Sequence, residues 1–196
     1  MPEVLERGDI LFFYRPTVQP AELAVGPPAA AEHDGVQSFF VVLAPAGGKH
    51  RRLRIGRKRM PSPSGERFWG RIERVGTLER VLADQLEAEH YVTKTRGERY
   101  QPGARPIAQG CYAFVRHDDH VHLAYRLEHT EPDVPEALRV PDAGSHVVLF
   151  ERTPRTKATW TTVGEPAQLD TEGEELVLVG VDDEPERELG IELLVA

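Results

Sequence analysis

The sequence predicts a β-rich α+β fold, with a mostly antiparallel sheet or a barrel-like arrangement and one clear helix at residues 78–90. Three observations carry this prediction. About eight short segments are either continuously apolar or alternate between apolar and polar residues, which is typical of strands. Only one segment has a helical period, and 17 glycines and 16 prolines among 196 residues indicate many turns. Long helices alternating with strands, as in a doubly wound sheet, are absent from the pattern.

The N-terminal half contains four of these predicted strands. Residues 10–15 and 36–43 are apolar and aromatic, residues 52–59 alternate with a break at Gly56, and residues 67–75 follow the turn-forming loop 61–65. The intervening residues 20–35 are rich in Pro, Ala and Gly and predict a loop.

The predicted helix begins after Thr77, which has the side chain of an N-cap. Leu78, Val81, Leu82 and Leu86 form one apolar stripe at helical spacing. A basic loop at 93–106 follows.

The C-terminal half again predicts strands, at 111–117, 120–128, 145–152 and 175–181. Residues 188–195 fit either a closing strand or a short helix. We therefore divide the chain into a lobe at 1–110 with the basic centre and the helix, and a lobe at 111–196 with a histidine hairpin and an acidic end. One continuous domain is the alternative.

Composition excludes several classes of protein. A single cysteine, Cys111, rules out a disulfide scaffold within the chain and a four-cysteine zinc site. The acidic N-terminus has no apolar signal region, and no apolar run is long enough to span a bilayer. These features predict a cytoplasmic protein with no membrane contact. GxSxG and GxGxxG motifs are also absent.

Charge is divided unevenly along the chain. Residues 49–116 hold sixteen Lys/Arg against seven Asp/Glu, whereas residues 165–196 hold eleven Asp/Glu and one Arg. Two interpretations stay open: either the acidic end neutralises the basic centre within one monomer or dimer, or the basic centre meets an anion such as RNA or DNA. A third possibility is that the acidic end docks on the basic surface of a protein partner.

The basic centre suits phosphate contacts, because arginine dominates it and aromatic residues lie close by in the sequence. Residues 49–59 contain seven Lys/Arg and no acid. The predicted binding residues for nucleic acid or another anion are Arg52, Arg54, Arg57, Lys58, Arg59, Trp69, Arg71 and Arg96. A solvated edge protected by its charge is the competing interpretation.

A hairpin with Asp118-Asp119 as its turn would gather three histidines. In that register the residue numbers of paired positions sum to 237, so Phe114 faces Leu123 and His117 faces His120. His122 then shares a face with that histidine pair. Three imidazoles with an open position are typical of a catalytic zinc site, so His117, His120 and His122 are the predicted metal ligands. The alternative is a solvated, pH-sensitive hairpin end.

Several strings resemble known proteins. GDILFFYRP, FWGRIERV, TKTRGERYQPGARP and RHDDHVHLAY resemble a family of standalone bacterial proteins with no assigned activity. The Gly-Asp turn before an apolar-aromatic strand in residues 7–15 and the Trp-Gly strand in 67–75 are similar to PUA-like and EVE-type barrels. That second resemblance implies binding of RNA or modified bases and transfers no binding residue.

The sequence therefore favours a non-enzymatic binding module whose basic, aromatic-containing surface contacts nucleic acid or another anionic ligand. A metal-binding protein or metal-dependent enzyme built on the histidine hairpin, with zinc as the metal, is the second hypothesis.

Overall fold

Eight antiparallel strands close into a β-barrel, which confirms the β-rich fold class. A computed structural model describes residues 2–20, 35–151 and 160–193. The barrel strands are β1 (Glu3–Pro16), β3 (Val36–Pro45), β4 (His50–Ile55), β5 (Arg67–Gly76), β8 (Arg105–His117), β9 (His120–Thr130), β10 (Ala143–Glu151) and β12 (Glu175–Asp182). The predicted loop at 20–35 lies outside the described residues except at its two ends.

The barrel follows the order β10–β12–β5–β4–β3–β1–β8–β9 and closes where β9 pairs with β10. Strand β8 runs across residue 110, the boundary between the two predicted lobes, and the barrel takes strands from both sides of it. Strand β11 (Trp160–Thr162) pairs with the C-terminal end of β10, beyond the part of β10 that pairs with β9. A separate three-stranded sheet contains β2 (Gln19–Pro20), β6 (Glu89–Thr93) and β7 (Gly97–Gln101).

Alternation along the strands fills the barrel interior with apolar side chains. Leu53 and Ile55 of β4 point inward, and Phe12 packs against Phe39 and Tyr125 with ring centroids 6.3 and 5.4 Å apart. Each fully buried large side chain of this kind contributes about 1.5–3 kcal/mol of transfer free energy. The sheet therefore holds together through one continuous core.

The β8–β9 hairpin has the register that the sequence predicts. His117 pairs with His120 and Val115 with His122, across a two-residue turn in which Asp118 has a φ of 55°. Aspartate tolerates this left-handed conformation better than most residues. The pairing therefore places all three histidines on the outer face of the barrel.

The predicted helix at 78–90 is wrong in its extent, because helix α1 covers only Leu78–Leu82. Thr77 does cap it, since its Oγ1 accepts a hydrogen bond from the Arg80 N–H at 3.3 Å. The helix ends because Arg52 Nη1 donates to the carbonyl oxygens of Val81 and Ala83 at 2.9 and 2.8 Å. These are carbonyls that a longer helix would use for its own hydrogen bonds.

The predicted strand at 52–59 also ends early, at Ile55, and the basic loop at 93–106 contains strand β7 and the start of β8. Gly56 N–H donates to the Trp69 carbonyl at 2.7 Å, after which the chain leaves the sheet.

No helix among residues 2–20, 35–151 and 160–193 is long and apolar enough to cross a bilayer.

The chain after β12 folds back on the barrel and forms helix α2 (Pro185–Leu189). This helix covers only the first two residues of the segment 188–195, for which a strand or a helix was predicted, and residues 191–193 are in neither. Leu189 and Leu193 join a second apolar cluster on the outer face of β8 and β9, with Cys111 and Ala124. Arg126 anchors the segment, since it donates to Glu186 Oε2 at 2.9 Å and to the Leu193 carbonyl at 2.7 Å.

The packing of α2 over Cys111 predicts that this thiol reacts slowly with thiol reagents. Cys111 is buried beneath this segment, and burial raises the pKa of its thiol, so we expect slow reaction with a thiol reagent in the native protein. Leu189→Ala, which loosens the cover, should speed the reaction about tenfold or more, consistent with a local loss of about 2 kcal/mol. Leu78→Ala, at an exposed apolar position on α1, is the control and should leave the rate unchanged. Rapid labelling of the native protein would contradict the packing.

Candidate functional site

The outer wall of β4 and β5 carries a group of exposed basic and aromatic side chains. On β5 the residues Arg67, Trp69 and Arg71 are exposed, while Phe68 and Ile72 between them are buried. Arg54 is exposed on β4, and Arg57 follows the end of that strand. We call these five residues, Arg54, Arg57, Arg67, Trp69 and Arg71, the basic face.

Two arginines of the basic face lie directly opposite each other. Arg54 pairs with Arg71 across the β4–β5 ladder. Like charges at opposed positions destabilise a sheet, because the side chains of such pairs are close together. An anion bound between the two guanidinium groups would remove that repulsion.

The internal carboxylates compensate only part of this charge. Arg54 Nη1 lies 3.5 Å from Glu73 Oε1, and the other oxygen of this carboxylate, Oε2, lies 3.3 Å from Arg52 Nε. Glu175 is opposite Arg71 on β12, yet Arg71 has no ion pair within 4.0 Å in the described part of the chain. Positive charge therefore remains on the exposed face.

A groove of about 430 Å³ runs beside this opposed pair. Its charged lining residues are Arg52, Arg54, Arg71, Arg74, Glu73 and Glu172. Glu172 is already engaged, because its Oε1 accepts from Arg80 at 2.8 Å and from the Val75 N–H at 2.9 Å. The groove has more cations than carboxylates and is open to solvent, which suits a negatively charged group.

An indole pair borders the basic face. Trp69 packs edge-to-face against Trp160 of β11, with ring centroids 4.8 Å apart and an interplanar angle of 88°. Trp69 nevertheless stays 52 % exposed. Tryptophan side chains are usually largely buried, so an indole that packs on a second indole yet stays half exposed next to arginines favours a binding role.

The sequence reasoning missed Arg67 and Trp160. Alternation with Trp69 and Arg71 was a usable signal for Arg67. Trp160 had no such signal, because its contact with Trp69 reaches across β10 and β12, between strands far apart in the sequence.

Three of the predicted binding residues serve the fold through internal contacts. Arg52 is 1 % exposed, lies over the Phe40 ring at 5.7 Å and holds the end of α1. Arg59 makes two hydrogen bonds to the Glu66 carboxylate, at 2.6 and 2.7 Å, while Lys58 Nζ donates to the Gln37 carbonyl. Their cationic ends are occupied by these partners.

Arg96 lies away from the barrel wall, in the turn that joins β6 to β7. Its backbone N–H donates to Thr93 Oγ1 at 3.0 Å, and its side chain is exposed. Of the eight predicted binding residues, the structure therefore brings together Arg54, Arg57, Trp69 and Arg71.

The three predicted metal ligands do come together on the outer face of the barrel. The His122 ring centroid lies 5.9 Å from that of His117 and 5.5 Å from that of His120. His122 is buried beside α2, and its Nδ1 shares a hydrogen bond with Ser145 Oγ at 2.8 Å. Burial, together with the neighbouring His120 and His117, lowers the pKa of His122 to about 4.

No set of three or more His, Cys, Asp or Glu side chains within the described ranges is placed to hold a metal ion. His122 Nε2 is buried with no hydrogen-bond partner there, and Glu188 Oε1 of α2 lies 3.7 Å from Nδ1. His122 thus has its contacts with Ser145 and α2, while His117 and His120 lie near Asp118 and Asp119 of the turn. A zinc site stays a prediction from the sequence alone.

Comparison with known proteins adds no family to this description: no protein-family model, curated protein or solved structure matches the chain.

Proposed function

We propose that this protein binds nucleic acid through the basic face and its neighbouring indole pair. The observation that carries the proposal is the opposed pair Arg54 and Arg71, exposed beside Trp69 with an incomplete set of internal counter-charges. A nucleic-acid backbone supplies closely spaced phosphates, and guanidinium groups bind them bidentately.

The chemistry of the face supports nucleic acid over a small inorganic anion. Cations extend along the wall from Arg54 on β4, and Arg57 just after its end, to Arg71 and Arg67 on β5, which suits a polymer of charges. Aromatic surface next to them adds a contact that an inorganic anion would not use.

The test is binding of a labelled oligonucleotide at low salt. We expect the double variant Arg54→Gln/Arg71→Gln to bind at least tenfold more weakly, because it cannot form two of the charge-assisted hydrogen bonds to phosphate. Both side chains are exposed, so the variant should keep the fold, which its unfolding midpoint checks.

The matched control is Arg187→Gln. Arg187 is an exposed arginine of α2 on the outer surface over β8 and β9, and it pairs with Glu184 of the same segment. The Arg187→Gln variant should bind the oligonucleotide with unchanged affinity, apart from a small general effect of net charge. Equal reductions of affinity in the two variants, or no binding by the wild type, would refute the proposal.

A further inference from the structure

We propose that the nucleic acid is single-stranded, with unpaired bases stacked on the indole pair and phosphates bound by the flanking arginines. This inference rests on the proposed function and specifies its ligand. It applies to RNA and DNA alike, because the groups that carry it recognise a base face and a phosphate.

The order of side chains on β5 is the first reason. Arg67, Trp69 and Arg71 occupy alternate positions on one face, so successive side chains stand about 6.6–6.8 Å apart. One cation therefore lies on each side of an indole. A single strand with its bases turned out presents the matching alternation of charged phosphate and flat base.

The second reason is that the indole pair can use base faces only where the bases are unpaired. In a duplex the bases stack on one another, and proteins read base edges by inserting a helix or a two-stranded ribbon into a groove. Trp69 and Trp160 instead belong to strands of the barrel and its edge. They are placed to stack on exposed bases, as aromatic side chains do in proteins that bind single strands.

The third reason is preorganisation. Trp160 holds the Trp69 ring edge-to-face, which orients it while leaving about half of it exposed. A ring already fixed by a neighbour loses less conformational entropy when a base stacks on it. The arrangement thus favours stacking over a loose contact with the phosphate backbone.

Intrinsic fluorescence tests this directly, because Trp69 and Trp160 are the two tryptophans of the chain. Four ligands are titrated: unstructured oligouridylate and oligothymidylate of about twelve nucleotides, an abasic strand with the same number of phosphates, and a duplex. We expect the base-bearing strands to quench the emission and to bind at least tenfold more tightly than the abasic strand and the duplex.

Trp69→Ala should remove most of that tenfold advantage and leave abasic binding unchanged. Tyr91→Ala, at an exposed aromatic position on β6, is the matched control and should keep the advantage. Equal affinity for the abasic strand or the duplex, or binding of a labelled base-bearing strand with no change in tryptophan emission, would overturn this inference while the proposed function stands. Failure of all four ligands to bind at low salt would overturn both.

Discussion

Replacing Arg51 with methionine should lower the free energy of unfolding by about 3 kcal/mol, because it removes the cation of a buried network. Arg51 Nη1 donates to Glu6 Oε1 at 2.6 Å, and Arg51 Nε donates to Asp170 Oδ1 at 2.7 Å. The Tyr112 hydroxyl donates to the same Glu6 oxygen at 2.6 Å. Burial and the nearby Glu6 carboxylate raise the pKa of Tyr112 far above its usual value.

The size of the effect follows from what the substitution leaves behind. Glu6 and Asp170 are mostly buried carboxylates, and without Arg51 they lose their counter-charge. Urea unfolding of wild type and variant measures the difference. Arg54→Met, further along the same strand at an exposed position, should cost less than about 1 kcal/mol. Similar decreases for the two variants would show that the network contributes no special stability.

Acidification from pH 7 to pH 5 should destabilise the protein by about 3 kcal/mol through two buried histidines. Burial lowers the pKa of His146 to about 4, and burial next to other imidazoles does the same for His122. In the unfolded chain both rings take up protons near pH 6.5. The unfolded state therefore binds more protons between pH 6.5 and 4, and stability falls as the pH falls through that window. Well above pH 6.5 both rings are neutral in the folded and the unfolded state, so they no longer lower the stability.

The contacts of His146 explain why its ring stays neutral in the fold. It stacks on Tyr125 with centroids 5.8 Å apart, and its Nε2 hydrogen-bonds the Pro61 carbonyl at 3.1 Å, which fixes the N–H on that nitrogen. Its Nδ1 is buried with no partner in the described part of the chain, so a second proton there would be a buried charge.

Urea unfolding at several pH values measures this dependence. The double variant His122→Asn/His146→Gln should give a flatter profile between pH 7 and 5, even if it is less stable overall. His129→Gln, at an exposed histidine, should keep the wild-type slope. An unchanged slope in the double variant would mean that these rings titrate normally in the fold.

Local pattern was sufficient to predict the β-rich class and the β8–β9 hairpin. Alternation in that hairpin puts Tyr112, Phe114 and Leu123 on one face, and only one register lets those side chains share the core. The pairing of His117 with His120 follows from the same register, so the gathering of the histidines was also predictable.

The length of α1 and the different environments of Arg51, Arg52 and Arg54 depend on interactions between segments that are distant in the sequence. The apolar stripe continues to Leu86, yet the Arg52 guanidinium on β4 donates hydrogen bonds to the carbonyl oxygens at the end of the helix. Within the run, alternation sends Arg51 into the barrel and leaves Arg54 outside, while Arg52 is covered by α1. A count of charges along the sequence cannot separate these three environments, because their partners lie on other elements.

The acidic C-terminal segment shows a similar dependence on tertiary packing. Asp170, Glu172 and Glu186 pair with Arg51, Arg80 and Arg126 of the same chain. Part of the charge asymmetry is therefore balanced internally, in agreement with the simpler of the two interpretations. The remaining imbalance at the basic face is the part that the proposed function uses.

The dependence of nucleic-acid affinity on salt, compared between wild type and Arg54→Gln/Arg71→Gln, tests the central claim most directly. Removing one arginine that binds a phosphate should reduce the slope of log K against log salt by about 1, so the double variant should have a slope shallower by about 2. Arg187→Gln should keep the wild-type slope. Parallel slopes for wild type and double variant would show that Arg54 and Arg71 bind no phosphate, and would contradict the assignment of the basic face.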